Sequence, residues 1–326
     1  MPEKPNQFGK STLLNIARLL VFSLVVWMIY RTIIASQQDF SEYELSFRDL
    51  SFQWLSIAAI SYSLGLTCFA CFWHGTLRIL GQQPSRTESL GSYWLSQLGK
   101  YVPGKALVII IRSERVCSVH TKRNPAVAAV FIETLGMMAV GAVISGLLLA
   151  IFYDRHQDNY LLYLNVGLAI AAGIPAMPPL FRKVISILSK RKSKGSLVVD
   201  IESLTLKTIW PFWLLSAVGW VFLGFSLHAV LYAIPSEHSV SQLGWSDFPI
   251  ILSTVALAMV AGFVSLLPGG AGIREYVILT LLTPIVGVAL AAASAVILRL
   301  IWLFVELFFA SLFFILMRRN PRSALE

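Results

Sequence analysis

Residues 266–279 have the sequence LLPGGAGIREYVIL, in which proline and glycine separate two apolar stretches. An earlier segment, LGKYVPGK at residues 98–105, contains a similar Pro-Gly step. Proline lacks the amide proton that a continuous helix uses, and glycine adopts backbone conformations closed to other residues. We therefore predict that a helix ends at each step and that a second helix begins after it. The residues of the two predicted breaks are Pro103, Gly104, Pro268, Gly269, Gly270 and Gly272.

The composition around these breaks excludes most soluble folds. Only 13% of the 326 residues are charged, whereas a soluble protein carries about 25%. Hydrophobic residues make up 56% of the chain, and the mean hydropathy is +0.72. This small number of polar side chains cannot cover a surface that faces water. The folded protein must therefore be surrounded largely by lipid.

Six stretches have the roughly 20 mainly apolar residues that a helix needs to cross a bilayer. They are residues 13–34, 54–75, 125–153, 160–180, 208–234 and 289–317. Two further regions, 88–117 and 248–288, contain the breaks. We predict an all-α polytopic membrane protein with six full spans and two re-entrant helical hairpins, or eight helical crossings if the hairpins are counted. Residues 1–326 form a single integral membrane domain in this prediction.

The distribution of charge predicts the orientation of the chain. Lys and Arg concentrate in the loop 181–207 and in the tail after residue 317, and basic loops stay on the cytoplasmic side. The loops 35–53 and 235–247 are acidic and are placed outside. We predict a protein of the plasma (bacterial inner) membrane with both termini in the cytoplasm. The net charge of +9 is then explained by basic loops, without a nucleic-acid partner.

This orientation makes each broken region enter and leave by one face, which is why we interpret both as hairpins. For 248–288, two complete spans remain an alternative. Shifting the chain by 165 residues places Pro103-Gly104 on Pro268-Gly269. The two weak repeat halves, 54–153 and 208–317, would run in opposite directions, which is the inverted-repeat plan of many transporters.

Charged residues near the breaks are candidates for binding an anion. The unpaired amides at the start of a helix favour phosphate or carboxylate. Lys105 and Arg112 lie two helical turns apart after the first break, and Arg274 with Glu275 follows the second. For Lys105 the alternative is an ordinary anchor at the membrane surface. Two positive helix ends would thus converge on one anionic group.

Three more charged residues lie within predicted spans, namely Glu133, Arg299 and Glu306. Each would cost about 2.5–3.5 kcal/mol at mid-membrane if unpaired. Glu133 would neutralise Arg112 or Arg115, while Arg299 and Glu306 share a helix face. Pairing between neighbouring spans and a role in a substrate path remain equal alternatives for these residues. The predicted substrate-binding set is Lys105, Arg112, Glu133, Arg274, Glu275, Arg299 and Glu306.

The sequence lacks the motifs of several enzyme classes. It contains no H-E-x-x-H, no Walker phosphate loop and no G-x-S-x-G, and its five histidines have no metal-ligand spacing. We predict no enzymatic activity, no metal site and no cofactor. Any transport would use a gradient, the membrane potential or a partner.

The motifs LGKYVPGK at 98–105, IRSERV at 111–116 and LLPGGAGIREYVIL at 266–279, together with the Glu133 span, carry a family resemblance. The chain resembles the transmembrane, flippase-like region of lysylphosphatidylglycerol synthases. In those enzymes a separate cytosolic domain makes an aminoacylated phospholipid and this region moves it across the bilayer. The expectation here is a stand-alone member without the synthase domain. The positions that match the family motifs are Pro103, Gly104, Lys105, Arg112, Glu133, Gly269, Gly270, Arg274 and Glu275.

The resemblance implies translocation of a lipid with an anionic headgroup, including aminoacylated or glycosylated ones. The expected partners are a membrane phospholipid or lipid-linked substrate and a lipid-modifying enzyme or glycosyltransferase. Two alternatives stay open. The protein could be a non-catalytic partner or regulator of a lipid-linked glycosyltransferase that docks through the loop 181–207, or a secondary transporter of a small anion.

Overall fold

The fold is that of a helical bundle, seen here in a computed structural model. The structure describes residues 49–101, 106–118, 120–152, 202–235, 243–265, 267–270 and 272–319, and scattered positions between 163 and 183. Within these residues the only β-structure is an isolated bridge between Ser118 and Thr121. The predicted all-helical class is therefore confirmed.

Eight α-helices and three 3₁₀ turns are described with both ends, and most of the scattered positions between 163 and 183 are also helical. The helices are α1 (Phe52–Ile79), α2 (Arg86–Gln97), α3 (Ala106–Val116), α4 (Arg123–Phe152), α5 (Leu206–Ala233), α6 (Phe248–Val264), α7 (Ile273–Val286) and α8 (Val288–Arg319). The 3₁₀ turns are Leu98–Tyr101, Trp245–Asp247 and Pro268–Gly270.

Five helical segments are long and apolar enough to cross a membrane: Phe52–Ile79, Arg123–Phe152, Leu206–Ala233, Trp245–Val264 and Val288–Met317. Four of them coincide with predicted spans, at 54–75, 125–153, 208–234 and 289–317. The predicted span 13–34 lies outside the described residues, and 160–180 is described only at scattered positions. The fifth segment belongs to the region that we interpreted as a hairpin.

Two backbone hydrogen bonds between residues at helix ends identify the two opposite faces of the bundle. At one face the Gln83 amide donates to the His120 carbonyl (3.2 Å), so the start of α2 lies beside the end of α3. At the other face the Ser51 amide donates to the Ala233 carbonyl (2.9 Å), which joins the start of α1 to the end of α5. The predicted cytoplasmic and outer loops are thus separated by the length of the bundle.

Two pairs of helices, α2–α3 and α6–α7, form the two broken regions of the sequence. Helices α2 and α3 pack together, and with 12 and 11 residues they are only about 17–18 Å long. Helices α6 and α7 also pack together, and α7 has 14 residues, or about 21 Å. Near the end of α8, Met317 lies beside Gly91 of α2. That the two pairs open to opposite faces stays a prediction. The re-entrant depth of either pair stays a prediction.

The helix contacts of the first four helices are repeated by the last four. Each contact among α1–α4 has a counterpart among α5–α8, and the contacts between the halves also match: α2 with α8 corresponds to α6 with α4, and α1 with α8 to α5 with α4. Helices α1 and α5, both 28 residues long, pack against each other at the centre. An inverted repeat of 54–153 and 208–317 would produce this pattern, and the repeat itself stays a prediction.

Glycines bring α1 and α5 into close contact. A Cβ atom on Gly65 would lie 2.3 Å from Leu223 Cδ1 and 3.0 Å from the Gly219 carbonyl oxygen. On α5, a Cβ atom on Gly219 would lie 2.7 Å from the Phe69 ring. Close backbone approach through small residues is a general device of membrane helices.

We expect Gly65→Val to lower the stability of the detergent-solubilised protein by about 1–3 kcal/mol, because the added methyl groups overpack the α1–α5 contact. The thermal unfolding midpoint measures the effect. The neighbouring Leu64 is 45% exposed, so Leu64→Val serves as the matched control and should leave the midpoint nearly unchanged. Equal midpoints for both variants would contradict the close packing at Gly65.

We expect cysteines at Thr87 and Ser246, both exposed, to react from opposite sides of the membrane. The background would have the three native cysteines, Cys68, Cys71 and Cys117, replaced by alanine. A membrane-impermeant maleimide should label Ser246→Cys in intact cells and Thr87→Cys only after permeabilisation. Labelling of both positions in intact cells, or the reverse order, would contradict the predicted orientation.

Candidate functional site

We call α2–α3 and α6–α7 the two short-helix pairs, because α2, α3 and α7 have only 11 to 14 residues. The turns within the two pairs meet in the middle of the bundle. The turns Leu98–Tyr101 and Pro268–Gly270 contact each other. A Cβ atom on Gly269 would lie 3.6 Å from Tyr101 Cδ1 and 3.7 Å from Arg299 Nη2. Gly269, Gly270 and Gly272 have positive φ angles of 60°, 71° and 84°, a conformation that favours glycine. The break before α7 therefore lies where sequence reasoning predicted it.

The first break differs in detail from its prediction. Helix α2 ends at Gln97 and continues as the 3₁₀ turn Leu98–Tyr101, a few residues before Pro103. Gly99 allows this turn to approach α3, since a Cβ atom there would lie 2.8 Å from the Val108 nitrogen. Residues 102–105 lie outside the described residues, so the roles of Pro103, Gly104 and Lys105 stay predictions.

A buried carboxylate, Glu306 of α8, joins the two halves at this centre. Its side chain has no exposed surface, and the Tyr101 hydroxyl donates to Oε2 at 3.1 Å. The Lys100 ammonium and the Tyr62 hydroxyl both donate to Oε1. The cluster therefore connects α1 and the turn Leu98–Tyr101 with the last helix. The indole of Trp302 stacks on Tyr62, with the ring centroids 4.5 Å apart.

A second ion pair lies within the first half. Arg112 of α3 donates from Nη1 to Glu133 Oε2 of α4 at 2.6 Å, and both side chains are almost fully buried. Arg112 Nε also donates to the Ser96 hydroxyl at 3.0 Å, and its guanidinium lies 4.1 Å from the centre of the Tyr93 ring. Glu133 accepts further bonds from Tyr93 (3.2 Å) and Thr134 (3.1 Å). The pair is thus enclosed and hydrogen-bonded from several directions.

The second half contains a matching pair of opposite polarity. Arg299 of α8 donates from Nη1 to Glu275 Oε1 of α7 at 2.7 Å. The other carboxylate oxygen of Glu275 accepts from the Gly272 amide at 2.7 Å and so caps the start of α7. In each half an ion pair therefore ties the second short helix to the long helix that follows it.

Arg274 differs from the other central cations because it has no carboxylate partner among the described residues. Its Nε is enclosed by protein and makes no hydrogen bond within that part of the chain. The side chain passes over two glycines. A Cβ atom added to Gly262 would lie 2.9 Å from Arg274 Nε, and one added to Gly270 would lie 2.7 Å from the same nitrogen. The fold thus makes room for a cation that the described protein does not neutralise.

Two cavities lie on either side of Lys100, Gly269 and Arg274. The larger has a cavity volume of about 300 Å³. The smaller has a cavity volume of about 30 Å³ and reaches the Glu275–Arg299 pair and Trp302. Lys100, Gly269 and Arg274 line both cavities. These three residues therefore form a charged wall between the cavities, which we call the partition, at the point where the two short-helix pairs meet.

Most of the large cavity is lined by apolar side chains, together with the charged residues Lys100, Arg112, Glu133 and Arg274. Its lining includes Met137, Met138 and Phe263, while Arg274 and Lys100 lie at the partition. Phe131 of α4 also lines the cavity and is 44% exposed on the outside of the bundle. The cavity therefore opens sideways toward the surface that would face lipid.

The structure brings together six of the predicted site residues, Arg112, Glu133, Arg274, Glu275, Arg299 and Glu306, around the two cavities. Sequence reasoning missed Lys100, Tyr62 and Tyr101, which surround Glu306. Lys100 lies in the motif LGKYVPGK, and the cost of leaving the mid-span Glu306 unpaired was the signal that could have pointed to it. Tyr62 has no distinguishing sequence context.

The comparison with known families agrees with this architecture. The family model described as lysylphosphatidylglycerol synthase TM region matches residues 15–310. The chain belongs to this family. As a member of the lysylphosphatidylglycerol synthase transmembrane family, it has both breaks and all the central charged residues inside the matched range. No curated protein matches the chain. The family and the membrane-spanning helices together make it an integral membrane protein.

We expect Glu133→Gln to destabilise the protein by about 3–5 kcal/mol, because it leaves the buried Arg112 without a counter-charge. The thermal unfolding midpoint in detergent measures this loss. The matched control is Glu114→Gln, since Glu114 pairs with Arg123 at 2.8 Å on the surface, with 48% and 60% of the two side chains exposed. An exposed pair contributes about 0–1 kcal/mol. If Glu133→Gln lowers the midpoint as little as Glu114→Gln does, the buried pair is not important for stability.

Proposed function

We propose that the protein moves a lipid with an anionic headgroup between the two leaflets of the plasma (bacterial inner) membrane, without enzymatic activity of its own. The headgroup enters the large cavity and binds at the partition, while the acyl chains stay in the bilayer beside the lateral opening. The observation that carries this proposal is the uncompensated Arg274 on a wall shared by two cavities.

The surroundings of Arg274 favour an anion over a purely structural role. A cation in the first turn of a helix opposes the helix dipole, and an unpaired charge inside a membrane costs about 2.5–3.5 kcal/mol. Arg274 is in the first turn of α7, where both costs apply. A phosphate that joins it removes both, because phosphate pairs with guanidinium in two parallel hydrogen bonds. Lys100, on the same wall, is a second donor within the cavity.

The shape and lining of the large cavity favour a lipid over a small soluble anion. A free anion needs a polar passage to water, whereas most of this lining is apolar and includes Met138 and Phe263. The sideways opening at Phe131 supports entry from the bilayer. The partner in this proposal is a membrane phospholipid or lipid-linked substrate, supplied or consumed by a lipid-modifying enzyme or glycosyltransferase.

The test is lipid exchange in vesicles that contain the purified protein and trace lipids labelled on an acyl chain. Dithionite bleaches the label in the outer leaflet, so exchange is measured as the fraction that becomes accessible with time. We expect an anionic phospholipid to exchange faster than in empty vesicles, and Arg274→Gln to slow it by at least about tenfold. That factor corresponds to about 1.4 kcal/mol, less than the cost of an unpaired charge.

Arg115→Gln is the matched control, because Arg115 is an exposed arginine on α3 outside both cavities. It should exchange lipid at the rate of the unchanged protein. Exchange no faster than in empty vesicles, across several anionic headgroups, would overturn the proposal. Recovery of a stable glycosyltransferase complex in that case would favour the regulator, and uptake of a soluble anion would favour the small-anion transporter.

A further inference from the structure

The charged side chains around the two cavities do not balance. The cations are Lys100, Arg112, Arg274 and Arg299, and the carboxylates are Glu133, Glu275 and Glu306. Three ion pairs use all three carboxylates: Lys100 with Glu306, Arg112 with Glu133, and Arg299 with Glu275. Within the described part of the chain, the site therefore has one positive charge in excess, which belongs to Arg274.

None of the three carboxylates is free to receive a positive group from a ligand. Glu133 accepts hydrogen bonds from Arg112, Tyr93 and Thr134. Glu306 accepts from Lys100, Tyr62 and Tyr101 and has no exposed surface. An ammonium group entering the cavity would have to displace a cation of the protein from its partner.

Glu275 is engaged in the same way, although it is more accessible. One of its oxygens binds Arg299 and the other accepts from the Gly272 amide at the start of α7. Releasing it for a ligand would remove both the ion pair and the helix cap. The same reasoning limits the negative charge that a ligand can bring into the site, because Arg112, Arg299 and Lys100 already have carboxylate partners.

From this balance we infer that the lipid headgroup handled by this protein carries a net charge of −1: a single phosphodiester, with neutral glycerol or sugar groups allowed, but with no ammonium group and no second phosphate. The inference rests on the proposed function and specifies its substrate class. A phosphodiester supplies the one negative charge that neutralises Arg274. Lys100 can also donate to the phosphate oxygens while it remains beside Glu306. In a site removed from water, a charge left over on either side is costly.

The test compares headgroups in the vesicle assay on the full chain, with the same acyl label on every lipid. The probes are phosphatidylglycerol (−1), phosphatidylethanolamine (0), lysylphosphatidylglycerol (+1) and phosphatidate, whose phosphomonoester carries about −1.5 to −2 at neutral pH. We expect phosphatidylglycerol to exchange at least about tenfold faster than each of the others. Equal exchange of phosphatidylethanolamine or lysylphosphatidylglycerol would overturn the inference and leave lipid translocation intact. No exchange of any lipid would overturn the proposed function as well.

A change of the charge balance gives a second, independent measurement. Glu306→Gln keeps the shape of the side chain and one acceptor oxygen but raises the excess to two positive charges, so the preference should shift toward phosphatidate by at least about tenfold relative to phosphatidylglycerol. Glu275→Gln makes the same change at the other pair and should shift the preference in the same direction. Glu114→Gln, which removes a carboxylate at the surface, should not change it. A preference that stays the same in both cavity variants would overturn the inference.

Lys105 provides the remaining check, because it lies outside the described residues. If the excess charge belongs to Arg274, then Lys105→Gln preserves the order of headgroups, and Arg274→Gln abolishes the advantage of phosphatidylglycerol over phosphatidylethanolamine. The opposite result would assign the deciding charge to Lys105 and overturn the charge count. The thermal midpoint of each variant, measured in parallel, separates a change of preference from loss of the fold.

Discussion

The structure depends on the cost of placing a charge away from water. Each central carboxylate is held by a cation from a different helix or turn: Glu133 by Arg112, Glu275 by Arg299 and Glu306 by Lys100. Breaking such a pair leaves a buried charge, so each pair fixes the relative position of the two elements that contribute to it. Arg274 is the exception among the described residues. Its position is determined by glycines that make room for it rather than by a counter-charge.

The short helices explain how charged groups come to lie in the middle of an apolar bundle. A continuous helix satisfies its own backbone and presents only side chains, whereas a broken helix also presents unpaired amides at depth. The turns Leu98–Tyr101 and Pro268–Gly270 bring two such breaks into contact. Glu275 satisfies one of the exposed amides at the second break, so the break remains compatible with its apolar surroundings.

Sequence reasoning located much of this site because charge and helix breakers are rare in an apolar chain. The glycines around Gly269 marked a break, and Glu133, Arg299 and Glu306 were conspicuous within predicted spans. The expected neutralisation of Arg112 by Glu133 is what the structure shows. The partners of Arg299 and Glu306 could not be predicted, because they come from elements far away in the chain. Sequence reasoning included Lys100 only as part of the motif LGKYVPGK, and Tyr62 is one of many aromatic residues.

The central cluster also distinguishes the two halves of the bundle from each other. Lys100 belongs to one half and Glu306 to the other, and the two short-helix ion pairs have reversed polarity. A protein assembled from two copies of the first half would have two such lysines without a facing Glu306. One assembled from two copies of the second would have two such glutamates without Lys100. The two halves are therefore complementary and not interchangeable, because each supplies a charge that the other lacks.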